Sequence, residues 1–189
     1  MDAAYPAPTE AATPEYVLAV IRDHHRQAAQ VDPEVDPDAD LSFDTTVKQW
    51  QEACDLLELR MLGRAFNEYW EINCTHDEWR SVLVPPSEKR LAGVCRLIAS
   101  RASRRSVRPA PILGTTCATA GAFLTIRSLL HEAGACADDI TPSASISPFT
   151  RRYSRVFLGE ISRLAPGALP LVKIRTPIYD AGIWGMLAG

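Results

Sequence analysis

Large apolar side chains recur every three or four positions along most of this chain, the spacing of one face of an α-helix. Val17, Leu18, Ile21, His25 and Ala28 share such a face in a helix predicted to run from Thr13-Pro14 to about Gln30. Thr is a good N-cap and proline is tolerated at the first helical position. A second, short helix is expected from Asp44 or Thr45 through Cys54, carrying Val47, Trp50 and Ala53. Leu59, Leu62, Phe66, Tyr69 and Trp70 predict a third over 57–71, its aromatic end in the core. Thr75-His76-Asp77-Glu78 fits a capping box, and the helix it opens, with Trp79 and Leu83, stops at Pro85-Pro86. Ser87 introduces the next helix, with Leu91, Val94, Cys95, Ile98 and Ala102 along one stripe.

The period breaks at two places in the first half and one in the middle. Residues 1–13 are rich in Ala, Pro and Thr and read as a flexible tail, because little apolar surface offsets the entropy of ordering them. Residues 31–44, with two prolines and repeated aspartates, read as a loop. The polar, proline-bearing stretch 105–111 reads as a linker between a helical half over 14–104 and a second over 112–189. In that second half a helix is expected from Gly114-Thr115-Thr116 to Glu132, a loop over 134–147, and a helix from Ser147-Pro148 to Pro166-Gly167. Pro170–Ile174 is the one extended segment, and 177–187 a short closing helix. The expected fold class is therefore mainly all-α: a helical bundle, with two packed helical halves and at most one short strand-like segment.

Composition narrows the class without naming an activity. The chain has 47% hydrophobic and 23% charged residues over 189 positions, enough for one full core or two small ones. No basic start followed by an apolar stretch marks a secretory signal, and no long uncharged apolar run marks a membrane span, so no membrane partner and a cytoplasmic location are expected. Five cysteines, far apart and without a Cys-x-x-Cys pair, read as reduced core thiols.

The small net charge of −3 hides a strong asymmetry. Residues 1–45 carry ten acidic groups against two basic, and residues 80–108 carry eight basic groups against one acidic. Lys89, Arg90, Arg101, Arg104, Arg105 and Arg108 are thus the candidate partner-binding residues, able to meet an acidic protein surface or nucleic-acid phosphates. Against nucleic acid stand the acidic pI near 5.8 and the lack of a recognition helix with grouped Asn, Gln and Arg. Whether the acidic N-terminal region covers the basic helix is a question for the tertiary structure.

Sites of chemistry are only partly formed. Asp36, Asp38 and Asp40 alternate as in the first half of an EF-hand, with Asp44 at the ninth position, but Leu41 replaces the required glycine and Val47 the bidentate glutamate. A solvated acidic loop is the simpler account. Cys117 stands at a helix start, where free backbone N–H groups favour a thiolate, yet His131 lies at the far end of the same helix, about 20 Å away. Cys74 and His76 lack a second pair at zinc spacing, and His24 and His25 flank an apolar stripe as packed imidazoles do. No phosphate-binding glycine loop occurs. No catalytic set, metal or cofactor is expected.

The order of elements from Asp32 to Ile98 resembles that of acyl carrier proteins. Asp55-Leu56-Leu57-Glu58 with Leu62, Phe66 and Trp70 resembles the Asp-Ser-Leu opening of that family's second helix, and Leu91–Ile98 its closing helix. A similar loop phrase recurs at Asp138–Ile146. The serine that carries phosphopantetheine in that family would fall at Leu56, which has no hydroxyl. The resemblance therefore implies a helical bundle used for docking, not for carrying acyl groups. The sequence reading as a whole is a non-enzymatic docking module that acts on a protein partner through charged surfaces, with a nucleic-acid-binding regulator or a degenerate carrier-like protein as alternatives.

Overall fold

The computed structural model describes residues 7–56, 58–112 and 114–171. Strand β1 (Thr9–Ala11) precedes α1 (Pro14–Ala28), whose N-cap Thr13 accepts a hydrogen bond from the Tyr16 N–H at 3.2 Å. Capping boxes at Thr46 and Thr75 start α2 (Val47–Cys54) and α4 (His76–Leu83), with α3 (Leu59–Trp70) between them. In each box the threonine hydroxyl and the Gln49 or Glu78 side chain satisfy each other's backbone donors. Helix α5 (Leu91–Ala99) completes the first unit.

These five helices enclose one core. Val17, Val47, Leu91, Val94, Cys95 and Ile98 are wholly buried in it. Each large aliphatic side chain so buried contributes about 1.5–3 kcal/mol. Aromatic rings fill the far side: Trp50 stacks on Phe66 at 5.8 Å, and Phe66 leans on Trp79 at 5.6 Å. Asn67 closes that end. Its amide donates to the Cys74 carbonyl at 2.7 Å, and its oxygen accepts from the Cys74 N–H at 3.1 Å and from the Trp79 indole at 3.0 Å.

Beyond α5 the chain turns extended, and the expectation of an all-α bundle with at most one strand-like segment is overturned. Strand β2 (Ser103–Arg105) pairs antiparallel with β1, and β3 (Ala110–Ile112) pairs antiparallel with β4 (Thr115–Cys117). Strands make up 9% of the described residues, so the fold is helix-dominated but mixed α/β. The reason lies in what holds them. All three residues of β1 are exposed, so no apolar alternation announces the strand. Backbone hydrogen bonds such as Ala12 N–H to Ala102 O (3.0 Å) and Ser106 N–H to Pro8 O (2.8 Å) carry it instead. Residues 9–11, expected in a tail, are thus an edge strand, and both ends of the expected linker 105–111 belong to strands.

The second core forms around α6 (Ala118–Glu132), which starts at Cys117 rather than at Gly114 because Thr115 and Thr116 are taken by β4. Gly114 supplies the left-handed turn before that strand, at φ 83°. After a 3₁₀ turn at Ala137–Asp139 come α7 (Ser147–Arg152), α8 (Ser154–Val156), a π-helical turn (Phe157–Ile161) and α9 (Ser162–Leu164). Leu129, Leu130, Ile140, Phe157 and Ile161 are buried together there. Pro170 and Leu171 form no strand, and the rest of the expected strand and the closing helix lie outside the described residues. Among the described residues no helix is long and apolar enough to cross a membrane.

Arg163 joins the two cores. Its carbonyl accepts from the Tyr16 hydroxyl at 2.8 Å, its guanidinium donates to the Tyr69 carbonyl at 3.0 Å, and that guanidinium lies 5.0 Å from the Tyr69 ring centre.

At Gly121 a β-carbon would stand 2.1 Å from the Arg108 carbonyl oxygen, so backbone would have to move. Gly121→Ala is expected to lower unfolding stability by about 1–3 kcal/mol in urea titration. Gly159→Ala, which meets nothing within 4 Å in a helical turn, serves as the comparison and is expected to cost no stability.

Candidate functional site

The basic residues singled out by sequence fall into two groups. Arg90 stands just before α5 and Arg101, Arg104 and Arg105 just after it, so about 14 Å of helix separates the groups. Arg101, Arg104 and Arg105 converge with Arg163 on a polar cleft of about 250 Å³ at the junction of the cores, beside Tyr16, Glu71 and Glu160. Arg90 is elsewhere, 3.7 Å from Asp44. Lys89 is half-buried on the same approach to α5, and the Arg108 carbonyl packs against Gly121.

Carboxylates of this same chain face Arg90, Arg101, Arg104 and Arg105. Arg104 meets Glu10 at 3.0 Å, Arg105 meets Glu132 at 3.1 Å and Glu160 at 3.8 Å, and Arg101 pairs with Glu78 and donates to the Asn73 carbonyl at 2.8 Å. A hydrogen bond from Ser106, then one from Arg104, holds the Glu10 carboxyl below its ordinary pKa. The N–H and hydroxyl of Thr75, followed by Arg101, do the same for Glu78. The acidic N-terminal region therefore does cover part of the basic segment: Glu10 on β1 caps Arg104, and Asp44 faces Arg90.

The acidic loop 32–44 is the opposite case, ordered from within and largely uncompensated outside. Val35 and Leu41 anchor it in the core. Arg22 donates to the Leu41 carbonyl, His25 Nε2 bonds the Asp36 carbonyl at 2.8 Å, and the Asp36 N–H reaches Ala53 O at 2.9 Å. Asp32 and Asp36 brace the turns by accepting from the N–H groups of Glu34 and Asp38, both at 3.0 Å. Glu34, Asp36, Asp38, Asp40 and Asp44 all face solvent. Of their ion pairs, Arg22 to Asp40 spans 3.5 Å and leaves Asp40 91% exposed. Asp55 sits so close to Glu34 that a shared hydrogen bond and charge repulsion raise the Glu34 pKa. Among the described residues no three His, Cys, Asp or Glu side chains gather as metal ligands would, so Asp36, Asp38 and Asp40 do not meet at one point.

The thiols and imidazoles are likewise apart. Cys117 caps α6 by accepting from the Ala120 N–H at 3.4 Å, while His131 Nδ1 bonds Ala135 O at the other end of that helix. Burial pushes the Cys54 thiol up to about 11 and that of Cys95 to about 12, so both stay protonated. His24 Nε2 bonds the Tyr69 hydroxyl at 2.8 Å.

Sequence reasoning missed a larger cleft, of about 530 Å³, between α3 and α4. The indole of Trp79 lies in its wall beside Leu83 and Val84, with Arg64, His76 and Arg80 also in the lining. Arg64 and Arg80 are both exposed, and their guanidinium groups make no ion pair or hydrogen bond with the described residues. No sequence signal links them, since one belongs to each helix and the packing of Gly63, Phe66 and Asn67 on Trp79 brings the helices together.

Asp55 has a left-handed backbone, φ 43°, which asparagine adopts as readily. Above the carboxylate range, Asp55 and Glu34 repel in the folded chain, and protonation at low pH relieves that repulsion. Asp55→Asn is expected to raise the melting temperature at pH 7 and to leave it unchanged near pH 3, as scanning calorimetry would measure. Comparison of the chain with protein-family models, with curated proteins and with solved structures finds no match.

Proposed function

We propose that this chain is a non-catalytic docking module that holds a basic surface of a partner protein on its acidic loop 32–44. The reading rests on one observation: five carboxylates face solvent on an ordered loop, and among the described residues only Asp40 and Asp44 of them meet an arginine, Arg22 at 3.5 Å and Arg90 at 3.7 Å, while Arg101, Arg104 and Arg105 are engaged by other carboxylates. A preordered charged surface loses little conformational entropy on binding, and its field speeds and orients encounter. The pairing of Arg101, Arg104 and Arg105 also removes much of the positive field that a nucleic-acid site needs. The likeness to acyl carrier proteins supports docking alone, because Leu56 packs against the first core and carries no hydroxyl.

The test is affinity capture from the native cell with the full chain and with a Glu34→Gln/Asp38→Asn/Asp40→Asn variant. A basic partner is expected, released by raised salt and absent from the variant's capture. Equal capture by both proteins sinks the reading. Salt-sensitive binding of duplex DNA or RNA that disappears in Arg101→Ala/Arg104→Ala/Arg105→Ala replaces it with the nucleic-acid alternative.

A further inference from the structure

We infer that the cleft between α3 and α4 binds a small amphipathic anion, an apolar body of aromatic or short aliphatic size bearing one negative group. The inference goes beyond the docking reading and uses none of the acidic loop. The volume of about 530 Å³ is that of a small-molecule site. Its apolar wall is the indole of Trp79 with Leu83 and Val84. The wall is preformed, since Asn67 fixes the indole N–H at 3.0 Å and ties the Cys74 backbone to α3 by two further hydrogen bonds. Gly63 permits this: a β-carbon there would lie 2.8 Å from the Trp79 ring.

Charge selects the ligand. Arg64 and Arg80 reach the cleft from opposite helices with no partner among the described residues, and no carboxylate belongs to the lining. His76 is the third basic side chain there, 3.7 Å from the exposed Asp77 carboxylate. Arg22, Arg26, Lys48, Arg90 and Arg101 in this unit already face carboxylates, Arg101 that of Glu78 on the same helix α4. Two unpaired guanidinium groups above an apolar wall complement a carboxylate, sulfonate or phosphate attached to an apolar group, and they offer a neutral molecule of the same body nothing extra.

The test titrates the full chain with 8-anilinonaphthalene-1-sulfonate and with neutral N-phenyl-1-naphthylamine, following fluorescence and the indole N–H signals in nitrogen-15 NMR. One anion per chain is expected, with the Trp79 indole signal shifting and octanoate displacing the dye. Arg64→Gln/Arg80→Gln, at two exposed positions that pack in no core, is expected to weaken the anion by about tenfold and leave the neutral compound unchanged. The inference is overturned if the double variant binds the anion as the native chain does, if the Trp79 signal stays still while dye binds, or if no anion binds.

Discussion

Helix α1 can bury Val17, Val20 and Ile21 against α5 only if the polar side chains around its rim find partners, and the rest of the described molecule is fastened there. Arg22 and His25 hold the carbonyls of Leu41 and Asp36, which shapes the acidic loop. Arg26, paired with the buried Asp23 at 2.6 Å, also donates to Leu169 O at 2.7 Å, and Gln27 reaches Pro170 O at 3.3 Å. Tyr16 binds the Arg163 carbonyl. One helix therefore sets the position of the loop that follows it and of a core about ninety residues farther along the chain.

Charge follows from that arrangement. Along the chain the acidic and basic stretches lie apart, but the return of β1 beside β2 places Glu10 on Arg104, and the approach of α5 to α2 places Arg90 near Asp44. These pairs are partly exposed and add little to stability. Their larger effect is on the surface field: four of the eight cations of the stretch 80–108 face carboxylates, while most of the loop 32–44 and the pair Arg64 and Arg80 keep their charge.

The two surfaces that keep their charge differ in support. The loop stands on short turns and on two buried side chains, Val35 and Leu41. The α3–α4 cleft stands on a single side chain, Asn67, whose three hydrogen bonds fix both the 71–75 connection and the indole of Trp79. A half-buried amide with its groups satisfied is a rigid support, because leaving any of them unpaired costs more than the bond contributes.

Local signals carried most of the helical skeleton. The apolar stripes of α1, α3 and α5, the cap at Thr13 and the capping box at Thr75 are written in residues three or four apart, so side chains on one helix determine them. Strands β1 and β2 escaped because their side chains are exposed and only backbone groups ninety residues apart hold them. The fate of the arginines escaped for a related reason: Arg101, Arg104 and Arg105 read as a free basic surface until the fold sets Glu78, Glu10 and Glu132 against them. Arg64 and Arg80, each unremarkable on its own helix, became neighbours only where Gly63 let Trp79 close. The sequence by itself determined the main helices of the first core and the faces that α1 and α5 bury, because those depend on near neighbours. Which charges stay unpaired, and where they border an apolar cleft, was decided only by long-range packing.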